Sequence, residues 1–566
     1  MSDMSVLLSM MGYTEDDVKG LECRHVTYTT DKEKRHDCLT IKEYIHLKNG
    51  TRIPNVRTIV DFKRPFWVTA KAMRNHKDHL EWEKIENLVK YESTQVELLQ
   101  NVARATGQWL GPRTTIKQLA QQPILYGTDI RPTELVKYSY TKRFEDCISP
   151  TATVAALDIE ADIVHGTGDI ICASLTFRDR AILTVNKWWL GPENYHKIHE
   201  AFDKHLGKYK RERNINLEIV FCDNEAECAK LLIDRAHEWK PDFISIWNMN
   251  YDLKKIEETF KKYDYDTARI FSDPAVPDRF TKWRYREGKT QKVTQSGKTS
   301  GLHPADRWHI AECPASFYFI DAMCLYKRIR LAEGMVSSYG LDATLTRHLG
   351  IGKLNFAEVD KLNGTAWHRE MQQNYRIEYC IYNLFDNIGQ ELLDEKTGDI
   401  SKSFSALVGV SDFDKFNSNP RRIVDDLHFF CLDRGLVISA TPDEVRHELD
   451  KFVVGLNGWI VTLPAYLMSD TGMSIIKDQP NLLSLMHPHC ADIDIEGTYP
   501  NLEDVMQISN ETTYRELGTI KGLTDEERRA VGINLSGGVV NSVEIGMTAL
   551  GLPGYEEMER LYLAHR

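Results

Sequence analysis

Apolar positions in this chain fall mostly into short runs broken by single polar residues, with a few stretches spaced by three and four. Val154-Ala-Ala-Leu-Asp-Ile-Glu-Ala-Asp162 reads as a strand whose end alternates apolar residues with Asp158 and Glu160. Side chains two apart on a strand share a face, so these two carboxylates point the same way. Asp169–Thr176, Ala181–Val185, Leu217–Cys222 and Asp242–Trp247 read as further strands. A helix follows from about Asn224, capped by Asp223 or Asn224, with Glu227 placed to close a capping box on Asn224. Tyr375–Leu393 has helical spacing, which sets Tyr382 and Asp386 four apart on one face. Strands with crossing helices predict an α/β layered core. Ahead of it, His25–Thr29 and Cys38–Ile41 look strand-like, a helix is expected over Glu81–Thr106, and Ile130–Tyr138 reads as extended.

Length changes this picture into one of several domains: 566 residues exceed what one core serves, and three or four domains are expected. The hydrophobic share of 42% and charged share of 27% are those of a soluble globular protein. A formal charge of −12 does not favour polyanion binding, so any nucleic-acid contact must come from local basic patches. One such patch is Arg279–Lys298, where basic residues alternate with aromatics; Arg284, Arg286, Lys289 and Lys292 are its candidate phosphate contacts. A solvated surface loop is the competing reading. Lys204–Arg213 reads as a solvated helix face. The 11 cysteines include no Cys-x-x-Cys pair, which fits a reducing cytosol. The first residues lack a basic region ahead of an apolar one, so no signal peptide is expected, and no apolar run is long enough for a bilayer.

Two carboxylates delivered by one strand are hard oxygen ligands of the kind Mg²⁺ or Mn²⁺ takes. Taken alone, Asp-Ile-Glu would be a strand ending in solvated acids, and Tyr382 with Asp386 an aromatic on the core and an exposed acid. A third element, Asn248-x-x-Tyr251-Asp252, lies just past the strand ending at Trp247, where α/β sheets collect functional groups. In this order the three pieces resemble the motifs of the proofreading 3′→5′ exonuclease domain of family B DNA polymerases, in particular the tailed-phage, T-even-like branch. Phe319–Lys327, Ser338–Asp342 and Gly352-Lys353-Leu354 resemble the stretch between its second and third motifs. In many relatives the Asn-to-Asp interval of the second motif is one residue longer. The resemblance implies a ribonuclease H-like fold and a site for two Mg²⁺ or Mn²⁺ ions. Asp158, Glu160 and Asp386 would ligate them, and Asp252 would complete the site directly or through water. It also implies that Tyr382 orients the nucleophilic water, that Asn248 and Lys353 meet the DNA, and that the 279–298 stretch is a hairpin near the primer–template junction.

Towards the C-terminus, Asp412-Phe-Asp414 reads as solvated. His487-Pro-His-Cys490 lacks a second ligand pair, so no structural zinc is expected there. Asp494-x-x-x-x-Tyr499-Pro500, followed by Gln507–Thr512, resembles motif A of the family B palm. Asp494 and the Ile495 carbonyl would then be polymerase metal ligands, and Tyr499 would lie under the sugar of an incoming dNTP. Gly497-Thr498 and Asn501 differ from the usual Ser-Leu and Ser. Residues 502–566 contain neither the fingers motif nor an Asp-Thr-Asp. The expected layout is an N-terminal domain (1–150), an exonuclease domain (151–398), a connecting segment returning to the N-terminal domain (399–465) and the start of a palm (466–566). The resemblance implies the N-terminal subunit of a split DNA-directed DNA polymerase in a bacterial host cytoplasm. Its partners would be primer–template DNA and a second polypeptide with fingers, motif C and thumb, docking near Gly537–Val540 and Ile545–Leu552 and reaching any sliding clamp; no membrane is implied. The alternatives are a free-standing 3′→5′ exonuclease with a palm remnant, and a non-enzymatic DNA-binding scaffold.

Overall fold

The computed structural model describes residues 3–74, 82–120, 122–149, 151–293, 298–330, 336–354, 356, 359, 361–362, 364–403, 419–439, 533–535 and 538–540. The chain divides into two units, Met1–Asp443 and Glu444–Arg566. Asp412, Asp414, His487, His489, Cys490, Asp494, Ile495, Tyr499 and the segment Ile545–Leu552 lie outside the described residues. In the second unit the described elements are β19 (Ile533–Leu535) and β20 (Gly538–Val540), an antiparallel pair.

The first unit begins with helix α1 (Asp3–Met10) and an antiparallel sheet of β1 (Val18–Thr30), β2 (Asp37–Leu47) and β3 (Arg52–Val60). Then come β4 (Arg64–Thr69), β5 (Trp82–Lys84), β6 (Leu88–Ser93), α2 (Leu98–Thr106), α3 (Ile116–Leu119), β7 (Leu125–Tyr126) and α4 (Pro132–Arg143). Two expectations fail here. The helix expected over 81–106 is confined to its last nine residues: β6 pairs with β4, and β5 pairs with β18 (Leu436–Ile438), more than 350 positions away. A local window cannot see such a partner. The stretch expected to be extended at 130–138 is instead helical from Pro132, because proline's fixed φ suits the first helical turn.

The centre is a six-stranded mixed sheet in the order β11-β10-β9-β8-β12-β17, built from β8 (Val154–Ala161), β9 (Ile170–Phe177), β10 (Arg180–Asn186), β11 (Asn216–Cys222), β12 (Phe243–Ile246) and β17 (Tyr318–Asp321). The flanking helices are α5 (Tyr195–Arg213), α6 (Glu225–Trp239), α7 (Met249–Lys262), α8 (Thr267–Phe271), α9 (Ala322–Ile329), α10 (Leu341–Leu349), α11 (Gly364–Asn374) and α12 (Arg376–Thr397). The short strands β13 (Arg284–Arg286), β14 (Gln291–Val293), β15 (Thr299–Gly301) and β16 (Ile310–Glu312) precede β17, and α13 (Asp399–Ser403) and α14 (Asn419–Asp433) follow α12. The unit is therefore mixed α/β, with helices on both faces of the sheet. Among the described residues no helix is long and apolar enough to cross a membrane, and the ten described cysteines are free.

Strand alternation decides what each face of β8 does. Leu157 and Ile159 enter a core with Ala229 and Leu232 of α6 and Leu253 and Ile256 of α7. Asp158 and Glu160 face the other way, towards α12, whose Asn383 and Tyr379 donate to them. On that side α5, α10 and α12 build a second core with Phe202, Leu206, Leu345, Leu384 and Ile388. Gly389 lets α10 approach closely: a Cβ there would stand 2.9 Å from Leu345 Cδ1. Helix α6 starts as expected, with Asn224 accepting from the Glu227 amide at 2.9 Å. Glu227, however, closes back onto the Asp223 amide, one residue earlier than a standard box.

Candidate active site

Three elements bring carboxylates to one cleft of about 510 Å³. Asp158 and Glu160 come from β8, Asp252 from the first turn of α7, and Asp386 from the middle of α12. Tyr382, one turn before Asp386, lines the same cleft, as do Asn248, Tyr251 and Lys353. The segment after α10 presents Lys353: its amide donates to Asp342 Oδ1 at 2.6 Å, and Gly352 lies against the same carboxylate. Lys353 Nζ then donates to Tyr382 Oη at 2.7 Å and forms an ion pair with Asp386 Oδ2.

Electrostatically the site is overloaded with negative charge. Burial, then Asp252, Glu160 and Asp386, push the Asp158 carboxyl well above the usual range. Asp252 is raised well above it by burial and Glu160. Burial raises Glu160 to about 7, although the Tyr379 hydroxyl opposes the shift. Asp386 is raised by burial despite Lys353. Burial lowers the Lys353 pKa, but Asp386 and Tyr382 outweigh it and keep the ammonium charged. Tyr382 is raised by burial and by Asp386, so its hydroxyl stays protonated. Crowded, desolvated carboxylates of this kind release their protons when a cation offers compensation.

The buried acceptors of the cleft suit divalent ions. Asp252 is 2% exposed and Asp386 5% exposed, yet Asp252 Oδ2 and Asp386 Oδ1 have no hydrogen-bond partner. A buried carboxylate oxygen without a donor is costly unless a cation meets it. The donor set is all oxygen, which suits Mg²⁺ or Mn²⁺ over softer metals. As the side chains stand, no three Asp, Glu, His or Cys residues among the described ones are grouped tightly enough to hold one ion. Lys353 and Tyr379 engage Asp386 and Glu160 instead.

The basic residues of the 279–298 stretch are not in this cleft. Arg284 lies on β13, which pairs with β16, and Lys292 on β14, which pairs with β15. Arg284, Lys289 and Lys292 are exposed, whereas Arg286 is half-buried and paired with Glu312 at 3.0 Å. The segment docks on α7 through Tyr285 Oη to Asn250 (3.0 Å) and Lys254 to Glu287 (2.7 Å). It thus neighbours the helix that carries Asp252. On α5, Lys204, Lys208 and Arg211 are exposed, as a solvated helix face requires.

Sequence reasoning missed several polar residues of the site. Asn383 donates to Asp158 Oδ2 at 2.7 Å, and Tyr379 donates to Glu160 Oε2 at 2.5 Å. His368 and Gln372 of α11 also line the cleft. For two of them a signal existed: Tyr379 and Asn383 sit three before and one after Tyr382, within reach of the same helix face. No family model matches this chain, and no curated protein matches it.

Proposed function

We propose that residues 151–398 form a divalent-metal-dependent 3′→5′ DNA exonuclease of ribonuclease H-like fold, the proofreading part of a family B DNA polymerase. The observation that carries this reading is the convergence of Asp158, Glu160, Asp252 and Asp386, from three separate elements, on one cleft together with Tyr382. A cleft of about 510 Å³ falls in the range of small-ligand sites, about 300–1,000 Å³, and takes a terminal nucleotide.

The residues divide the chemistry between them. Asp158, Glu160 and Asp386 would hold two Mg²⁺ or Mn²⁺ ions, with Asp252 completing the set directly or through water. When bound, two such ions stabilise both the attacking and the leaving oxygen of an in-line displacement. Hydrolysis forms a P–O bond to water and breaks the bond between phosphorus and the 3′ oxygen, releasing a nucleoside 5′-monophosphate. Tyr382 receives a hydrogen bond from Lys353, and with Asp386 engaged by an ion its own proton would point at the attacking water. Being a protonated phenol, it orients that water and does not act as base. Lys353 supplies positive charge beside Asp386, and Asn248 at the cleft edge meets the DNA strand. Exposed Arg284, Lys289 and Lys292 would follow the phosphates approaching α7.

The polymerase half of the reading rests on Asp494, Ile495 and Tyr499 in the sequence. The 65 residues after Asn501 hold no Asp-Thr-Asp, so dNTP incorporation would draw its other palm carboxylates from outside this stretch. A 5′-labelled single-stranded oligonucleotide incubated with the chain and Mg²⁺ should give a ladder shortened stepwise from the 3′ end, and a chelator should stop it. Internal cleavage, or shortening from the 5′ end, would overturn the proposal.

A further inference from the structure

We propose that Tyr379 and His368 are positioning residues that fix Glu160 in the orientation from which it grips a divalent ion. The inference rests on the metal-dependent nuclease reading and deepens it. Glu160 is a strand residue with a flexible side chain, and its carboxylate needs an external constraint to present one oxygen to the cleft. Tyr379 supplies it, donating to Glu160 Oε2 at 2.5 Å. The tyrosine is itself held: it is fully buried, it stands edge-on to Trp189 with ring centres 6.3 Å apart, and it lies parallel to Tyr382 at 5.9 Å.

A phenol has one proton, and an ionised carboxylate can only accept. With Glu160 ionised, as a metal ligand must be, Tyr379 spends its proton on Glu160, and its oxygen must accept from whatever else touches it. His368 Nδ1 lies 2.8 Å from that oxygen, so the imidazole carries its proton on Nδ1 and donates. Gln372 Nε2 adds a longer contact at 3.4 Å while donating to the Ala161 carbonyl at 2.9 Å. The chain of donors thus runs in one direction, from His368 of α11 through Tyr379 of α12 to Glu160 of β8. Hydrogen-bonded partners behind a metal-ligating carboxylate set its orientation, and their loss typically weakens metal affinity by about 10–100-fold.

The test is Mn²⁺ binding to the metal-free full chain, read as the loss of the free-ion electron paramagnetic resonance signal, with nuclease rate measured alongside. Tyr379→Phe keeps the ring and its packing; it should weaken Mn²⁺ binding about tenfold or more. Excess Mn²⁺ should then restore most of its nuclease rate, which a packing defect would not allow. His368→Ala should weaken binding less, and His368→Asn, which keeps a donor near the Nδ1 position, should recover it. Unchanged Mn²⁺ affinity in Tyr379→Phe, with affinity lost in Asp158→Ala plus Glu160→Ala, would overturn the positioning role and leave the nuclease site standing. Unchanged affinity in the double carboxylate variant as well would overturn both.

Discussion

Asp158→Ala combined with Glu160→Ala should lower the single-strand nuclease rate by about a thousandfold or more, while leaving the protein folded. The two carboxylates occupy the face of β8 turned away from Leu157 and Ile159, so their removal takes nothing from the apolar core. It also relieves repulsion. Burial first, and then neighbouring acids, raise the folded pKa of Asp158, and burial raises Glu160 from 4.5 to about 7. A carboxyl with a raised folded pKa holds its proton more tightly when folded. The stability gained is complete below the unfolded pKa and drains away as pH rises through the folded value. For Glu160 that window runs from 4.5 to about 7. The metal-free wild type should therefore lose stability across it, and the double variant should lose less. At pH 8 without metal, thermal melting should find the variant no less stable than the parent. Nuclease activity that survives the double change would remove these residues from the site.

Asp242→Asn should have the largest effect on stability, lowering it by about 3–5 kcal/mol. Asp242 is fully buried at the start of β12 and ties the first strands to the central sheet. Its Oδ2 accepts from the Thr153 amide at 2.8 Å and its Oδ1 from Tyr44 at 3.1 Å. Lys42 Nζ, on a side chain with no exposure, is 3.7 Å away, and Arg24 Nε is also at 3.7 Å. An asparagine leaves Lys42 as a buried charge without its counter-ion. Burial pushes the Asp242 pKa up, but Lys42 and Arg24 together hold it below the usual value of 3.8. With that sign, its stabilisation is present above the unfolded pKa and lost as pH falls through the folded one. The deficit of the variant, measured by urea melting, should thus be full at pH 7 and shrink in strong acid. Tyr44→Phe, which removes the hydrogen bonds to Asp242 (3.1 Å) and Thr153 (3.2 Å) but leaves the charges paired, should cost less, about 2 kcal/mol. Equal midpoints for Asp242→Asn and the parent would show that the buried cluster does not join these layers.

Much of the central sheet was legible because its signals are local. Period-two alternation located β8 and its two carboxylates, and the spacing of Tyr382 and Asp386 placed both on α12. Asp252 was found because it follows a buried strand, and it stands in the first turn of the helix from Met249. What could not be read depends on partners far apart in the chain. Trp82–Lys84 is a strand only because Leu436–Ile438 lies beside it. His368 enters the site through Tyr379, whose own role depends on Glu160, 219 residues earlier. Composition marked Arg286 as a candidate phosphate contact but could not show that the β13–β16 pairing brings Glu312 within 3.0 Å of it.

In the proposed site Asp158, Glu160, Asp252 and Asp386 together hold two divalent ions. Anomalous diffraction from crystals soaked in Mn²⁺ measures this without recourse to activity. Two peaks are expected among these four side chains, about 3.5–4 Å apart, with Asp386 drawn from Lys353 onto an ion. Soaked crystals with no peak at the cleft, and with Lys353 still paired to Asp386, would contradict the account.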